Sequence, residues 1–211
     1  SVPGCDRDER KIAGVKAKKS YIKDIPAAVL AGPVESGTLT ASSDPSVLGE
    51  ADVIVICVPT PLNKTKDPDN SFIMAAAEDI APRLRSGQLI ILESTTFPGF
   101  TREVLVPRLE QSGKKIGVDF FVCFSPERVD PGNAKYQTKN TPKVIGGFTP
   151  KCMEAGRAMY GEVMDRVVPV SSTDAAEMVK LLENTFRAVN IGLVNEIAIM
   201  AGKLGLDTFE I

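Results

Sequence analysis

Apolar positions along the chain fall into two alternating patterns. Short continuous apolar runs recur at 51–58 (ADVIVICV), 88–92 (QLIIL), 120–124 (FFVCF), 143–145 (KVI) and 167–170 (VVPV). Runs of roughly four to eight Val, Ile, Leu or Phe residues bounded by turn signals predict strands buried on both faces. Weaker strand candidates lie at 1–8 (SVPGCDRD) and 39–41. Between them, helix-period stretches occupy 8–18, 25–31, 72–84, 101–111 and 150–160, with Gly32-Pro33, Ser86-Gly87 and Ser112-Gly113 as stop signals. The polar segment 64–70 (KTKDPDN) predicts a loop. Strands alternating with helices predict βαβ crossovers, hence an α/β fold with a mostly parallel sheet covered on both faces.

One element breaks that rhythm. Residues 174–203 hold no proline and only two glycines, Gly192 and Gly202, so the pattern predicts one long helix. At about 1.5 Å per residue it runs roughly 45 Å, longer than one small domain needs. Ser172, Thr173 or Asp174 can cap its start, and Asp174 with Glu177 has capping-box spacing. Its apolar residues go all the way round, which predicts burial on several sides. Against that background Glu177, Lys180, Asn184 and Asn195 share one stripe about 60° wide. Lys180 and Asn184 sit one turn apart, and an ammonium beside a neutral amide suits an oxyanion. A Glu177–Lys180 surface pair with a solvated Asn184 accounts for the same spacing.

Composition narrows the chemistry. The 211 residues suffice for one large domain or one and a half, and the natural boundary is near Ser171, where the sheet pattern stops. The formal net charge of −2 gives no reason to expect nucleic acid or an anionic membrane as partner. No run of eighteen apolar residues and no signal-peptide pattern occurs, so a soluble, cytoplasmic protein is expected. There is no histidine, which removes the commonest general base and metal ligand. Cys5, Cys57, Cys123 and Cys152 are widely spaced, so neither a zinc site nor a disulfide framework is indicated. Cys57 and Cys123 lie in apolar runs and read as core residues.

Ligands of open α/β sheets lie outside the carboxyl ends of the strands. Three expected strand ends carry unusual residues: the rigid turn Val58, Pro59, Thr60 and Pro61; the hydroxyls of Ser94, Thr95 and Thr96; and Ser125-Pro126-Glu127, which puts a carboxylate just after a strand. Asp6 follows the first weak strand. An acid there suits either a ribose hydroxyl or a helix N-cap, and spacing leaves both open.

These segments together resemble the UDP-glucose/GDP-mannose dehydrogenase family, and within it the branch acting on UDP-N-acetylhexosamines. The resemblance is carried by ADVIVICVPTPL (51–62), LESTTFPG (92–99), FSPERVDPGN (124–133), PKVIGG (142–147) and VPVSSTDAAEMVKLLENTFRAVNIGLVNE (168–196). It implies a Rossmann-like NAD-binding domain at 1–170, lacking the family's first strand and glycine loop. A long central helix at 171–211 would link two domains and pack across a homo-oligomer interface. It implies NAD-dependent oxidation of C6 of a UDP-sugar to the carboxylate, by two hydride transfers, for polysaccharide precursors. By resemblance, Asp6 holds the adenosine ribose. Val58, Pro59, Thr60, Pro61, Ser94 and Thr95 line the NAD site, and Thr95 also positions a water. Glu127 serves the late hydrolytic step, and Lys180 and Asn184 stabilise oxyanions at C6. The family's thiol nucleophile lies in a Gly-Gly-His-Cys stretch, and none of the four cysteines here occupies such a stretch. The 211 residues alone are therefore expected not to turn over. Some relatives that act on UDP-glucose carry a second glutamate near Pro131, where this chain reads ERVDP. Two rival readings remain at this level: a single-step β-hydroxyacid dehydrogenase, which also bears Lys and Asn four apart on a long helix, and a non-catalytic chain that folds and dimerises.

Overall fold

The computed structural model describes residues 1–22, 25–64, 68–128 and 138–211. Strand β1 (Val2–Cys5) leads through helices α1 (Glu9–Lys16) and α2 (Ala27–Glu35) to β2 (Leu39–Ser42). Strand β3 (Val53–Ile56), helix α3 (Ser71–Ile80) and β4 (Leu89–Leu92) follow. A π-helical turn, Thr101–Leu105, runs into α4 (Val106–Glu110) and then β5 (Phe121–Phe124). The chain closes with β6 (Lys143–Gly147), α5 (Pro150–Gly161), β7 (Val167–Val170) and α6 (Thr173–Leu204).

The strands form a five-stranded sheet of order β3-β4-β5-β6-β7 and a separate parallel pair β1-β2. All pairings in the larger sheet are parallel except β5 with β6, where Phe124 faces Gly146. Alternation of side chains sends neighbours in one strand to opposite layers. Ile90, Leu92, Val122 and Phe124 pack with Ile73, Leu105 and Leu109 on one face. Leu89, Ile91, Cys123 and Ile145 pack with Cys152 and Tyr160 on the other. Both faces being covered, every residue of β4 is buried, which is why the sequence shows an unbroken apolar run there.

Two glycines set how closely the last helices approach. A Cβ on Gly146 would lie 2.0 Å from the Ser172 carbonyl oxygen, so α6 starts directly against β6. A Cβ on Gly147 would lie 2.4 Å from the Met153 nitrogen, which seats α5 equally tightly.

Three expectations need correction. α2 runs through Pro33 rather than stopping at Gly32-Pro33. None of its residues is buried, so the carbonyl that loses its partner at Pro33 faces water and costs little. Cys57 is exposed because it continues the less covered face of edge strand β3, which carries Val53 and exposed Val55, while Ile54 and Ile56 point into the core. Cys123 is buried as expected, and burial pushes its thiol up to about 12. The long helix, finally, is not wrapped on several sides. Its buried residues are Thr173, Ala176, Glu177 and Ala201, whereas Leu182, Phe186, Val189, Leu193 and Val194 are each more than half exposed.

Candidate active site

Strands β3, β4 and β5 are parallel and end on one edge of the sheet, so the three unusual turns converge there. The turns are tied together by backbone-directed bonds. The Ser94 hydroxyl donates to the Val58 carbonyl at 2.8 Å, and the Ser94 amide donates to Ile56 at 3.2 Å. The Asp69 amide donates to the Pro61 carbonyl at 2.8 Å, which closes the loop behind Val58, Pro59, Thr60 and Pro61. Thr95 is half-buried between Ser94 and Thr96.

Helix α6 crosses this edge because its first turns pack on β6, β5 and the π-helical turn. Its N-cap is Ser172, whose hydroxyl accepts from the Ala175 amide at 3.1 Å. The capping-box expectation for Asp174 and Glu177 fails for a specific reason: Glu177 points the other way, into the fold. It is fully buried. Its carboxylate accepts from the Gly99 amide at 2.6 Å, the Thr101 amide at 2.9 Å and the Thr101 hydroxyl at 2.6 Å. The Thr96 hydroxyl approaches it at 3.4 Å. Burial nevertheless raises its pKa above the ordinary carboxylate value. The alternative of a Glu177–Lys180 surface pair is therefore excluded.

With Glu177 fixing the rotation of the helix, Lys180 one turn on faces the end of β5. Its ammonium donates to the Glu127 carbonyl oxygen, and burial lowers its pKa below the usual lysine value. Arg128 and Glu183 form an ion pair of 2.6 Å across the same junction. Asn184 is exposed on the next turn. In the ERVDP run, Val129, Asp130 and Pro131 lie outside the described residues, as do Thr65, Lys66 and Asp67 of the expected loop.

Asp6 closes β1. Its carboxylate accepts from the Asp8 amide at 2.9 Å and pairs with the Lys11 ammonium at 2.9 Å. The N-cap of α1 is Asp8, which accepts from the Arg10 amide at 3.0 Å, so Asp6 is not that cap. Cys57 lies near this centre. Desolvation and the Glu93, Glu127 and Asp6 carboxylates push its thiol up, opposite to what a thiolate nucleophile needs.

Sequence reasoning missed a second cluster at this edge. Because β6 is antiparallel to β5, its first residue, Lys143, falls beside Ser125–Glu127. Its Nζ lies 2.6 Å from Glu93 Oε1 and 3.9 Å from Glu127 Oε2. It also sits 5.1 Å from the centre of the Tyr160 ring, and the Tyr160 hydroxyl donates to Glu93. A lysine at the head of an apolar strand reads as a solvated strand start, so no sequence signal announced it.

The convergent ends of parallel strands, crossed by a long helix that brings in a half-buried lysine, define a Rossmann-like α/β fold. The model for the NAD binding domain of the UDP-glucose/GDP-mannose dehydrogenase family matches residues 1–164, and the model for that family's central domain matches 174–211. The chain belongs to this family. It is 35% identical over 210 residues to a UDP-N-acetyl-D-glucosamine 6-dehydrogenase of Pseudomonas aeruginosa, covering 99% of this chain and 49% of that protein. It is 38% identical over 187 residues to a UDP-N-acetyl-D-mannosamine dehydrogenase of Salmonella typhi, covering 84% and 43%. The fold superimposes on the structure of a UDP-D-ManNAc dehydrogenase from Pyrococcus horikoshii with a TM-score of 0.91 at 35% identity, over 99% of this chain and 50% of that one. The chain thus spans about half the length of the curated relatives it matches. NAD is the cofactor of the matched domain. Among the described residues no helix is long and apolar enough to cross a membrane.

Proposed function

We propose that this chain is the NAD-binding half of a UDP-N-acetylhexosamine 6-dehydrogenase. Residues 1–170 form the cofactor domain and 171–211 the linking helix. The observation that carries the reading is the half-buried Lys180 ammonium at the end of β5, held against Glu127. An ammonium in such a place stabilises an alkoxide as charge develops on C6, without histidine. Its lowered pKa also makes proton exchange with a neighbouring water easier. Asn184 adds a neutral donor one turn away. Glu127 orients or deprotonates the water of the hydrolytic step, with Thr95 beside it.

The residues present fit NAD. Asp6 is an anchored carboxylate, fixed by the Asp8 amide and Lys11, and that suits vicinal ribose hydroxyls. Val58, Pro59, Thr60 and Pro61 form a rigid wall braced by Ser94, and Thr95 adjoins it. NAD supplies the hydride acceptor for both oxidations. The reading also places the protein in the cytoplasm, where NAD and nucleotide sugars are available, and makes it a homo-oligomer whose second copy covers the apolar face of α6.

Family membership supports this over a single-step β-hydroxyacid dehydrogenase, and the arrangement of Lys180 and Glu127 supports it over a non-catalytic chain. A panel of UDP-N-acetylglucosamine, UDP-N-acetylmannosamine and 3-hydroxy acids tests it on the natural polypeptide that carries this chain. NADH formed only with a UDP-sugar, two per sugar, is expected; NADH formed only with a 3-hydroxy acid would overturn it. The 211 residues alone are expected to give none.

A further inference from the structure

Lys143 is a buried cation with no part in the reading above. Its side chain is 6% exposed, and the Glu93 side chain that it meets is 14% exposed. A buried ammonium persists only where it is paired and hydrogen-bonded. Glu93 provides the pair at 2.6 Å and the Tyr160 ring covers it at 5.1 Å. Tyr160 in turn is fixed by its hydroxyl bond to Glu93. Glu93 follows β4, Lys143 opens β6 and Tyr160 belongs to α5, so three separate elements converge to hold one ammonium.

The part of this ammonium left over from Glu93 faces Glu127, whose carboxylate is 46% exposed and lies 3.9 Å away. Among the described residues, Lys180 donates to the Glu127 carbonyl, the Arg128 amide donates to the Glu127 carboxylate at 2.5 Å, and the Arg128 guanidinium is engaged with Glu183. Among the described residues, Lys143 is a rigidly held cation in ion-pair range of the Glu127 carboxylate.

We infer that Lys143, backed by Glu93 and Tyr160, is a positioning residue that holds the Glu127 carboxylate in place for the step that Glu127 serves. This rests on the proposed dehydrogenase reading for the step, but the geometry of the clamp does not depend on it. Lys143 itself touches neither substrate nor cofactor in this scheme.

Replacing Lys143 alone would strand Glu93 as a buried unpaired anion and could unfold the protein. The informative variant is therefore Glu93→Gln with Lys143→Met, which removes both charges while the new amide oxygen at position 93 still accepts from Tyr160. Lys143→Arg is the conservative control. Two readouts apply to the natural polypeptide that carries this chain. The first is labelling of Glu127 by a water-soluble carbodiimide and glycine methyl ester, mapped by mass spectrometry. A carboxylate no longer held against its cation is freer to meet the reagent, so loss of Lys143 should raise the labelling rate at Glu127 at least threefold. The second is steady-state oxidation of a UDP-sugar. There kcat should fall at least tenfold while KM stays within about twofold, because the late step and not sugar binding is impaired. Lys143→Arg should recover most of both. Labelling and kcat both unchanged in the folded double variant would overturn the inference, as would a fall in kcat with unchanged labelling. Increased labelling in a protein that oxidises no UDP-sugar would leave the clamp standing and overturn the proposed function instead.

Discussion

The two parts of α6 are one continuous helix with opposite surroundings. In its first turns, Thr173, Ala176 and Glu177 are buried, and Lys180 is drawn against β5. Further on, Leu182, Phe186, Val189, Ile191, Leu193 and Val194 are exposed. Composition does not separate the two parts, since both are rich in apolar residues. Contact with the sheet does. The first part is held by polar bonds to a distant loop, and its position decides where Lys180 points. The second is a free apolar face that scattered surface residues do not explain. A helix can therefore be fixed against the sheet at one end and present an uncovered apolar face further on.

The largest effect expected from breaking this comparison is at Glu177. Glu177→Ala leaves the Gly99 and Thr101 amides buried without an acceptor. It should cost on the order of 3–5 kcal/mol, read as a fall in denaturant midpoint. Gly146→Ala comes next. Its Cβ would overlap the Ser172 carbonyl and push the start of α6 off β6, costing about 3 kcal/mol. Both changes should lower activity beyond their effect on stability, because each moves Lys180.

A smaller effect is read through pH. The folded-state pKa of Glu177 is raised from 4.5, so the folded protein binds this proton more tightly than the unfolded chain. The group's contribution is fully present below pH 4.5 and is lost as pH rises through the folded value. Glu177→Gln cannot titrate, so the difference between wild type and variant should change across the window just above 4.5 and be flat well above it. Chemical denaturation at a series of pH values checks this. The smallest effect on the fold is expected in the exposed part of α6. Phe186→Asp should change monomer stability by no more than about 0.5 kcal/mol. It should nevertheless abolish self-association in sedimentation velocity; an intact oligomer in that variant would remove this face from the interface.

The sequence carried the sheet well because strands buried on both faces leave continuous apolar runs, as in β4 and β5. Glu127 stood out because it follows a strand, and Lys180 because it lies on a polar stripe of an otherwise apolar helix; the structure brings the two together. Other features depend on segments far apart in the chain. The bonds of Glu177 reach 76 to 78 residues back, so its spacing with Asp174 and Lys180 suggested local partners that do not exist. Lys143 enters the site only because β6 runs antiparallel to β5, and strand direction leaves no mark in an apolar run. Cys57 looked like core because it continues the run of β3, yet β3 is an edge strand and its Val53–Val55–Cys57 face is the less covered one. The exposure of the distal part of α6 was equally hidden, since an exposed apolar face and a buried one have the same composition.

The most direct test concerns Lys180. The initial rate of NADH formation with UDP-N-acetylglucosamine and UDP-N-acetylmannosamine is measured for wild type and Lys180→Ala in the natural polypeptide that carries this chain. If Lys180 stabilises the oxyanion at C6, kcat falls by about 10²–10³ with the fold intact by circular dichroism. A folded Lys180→Ala protein that forms NADH at the wild-type rate would contradict the account.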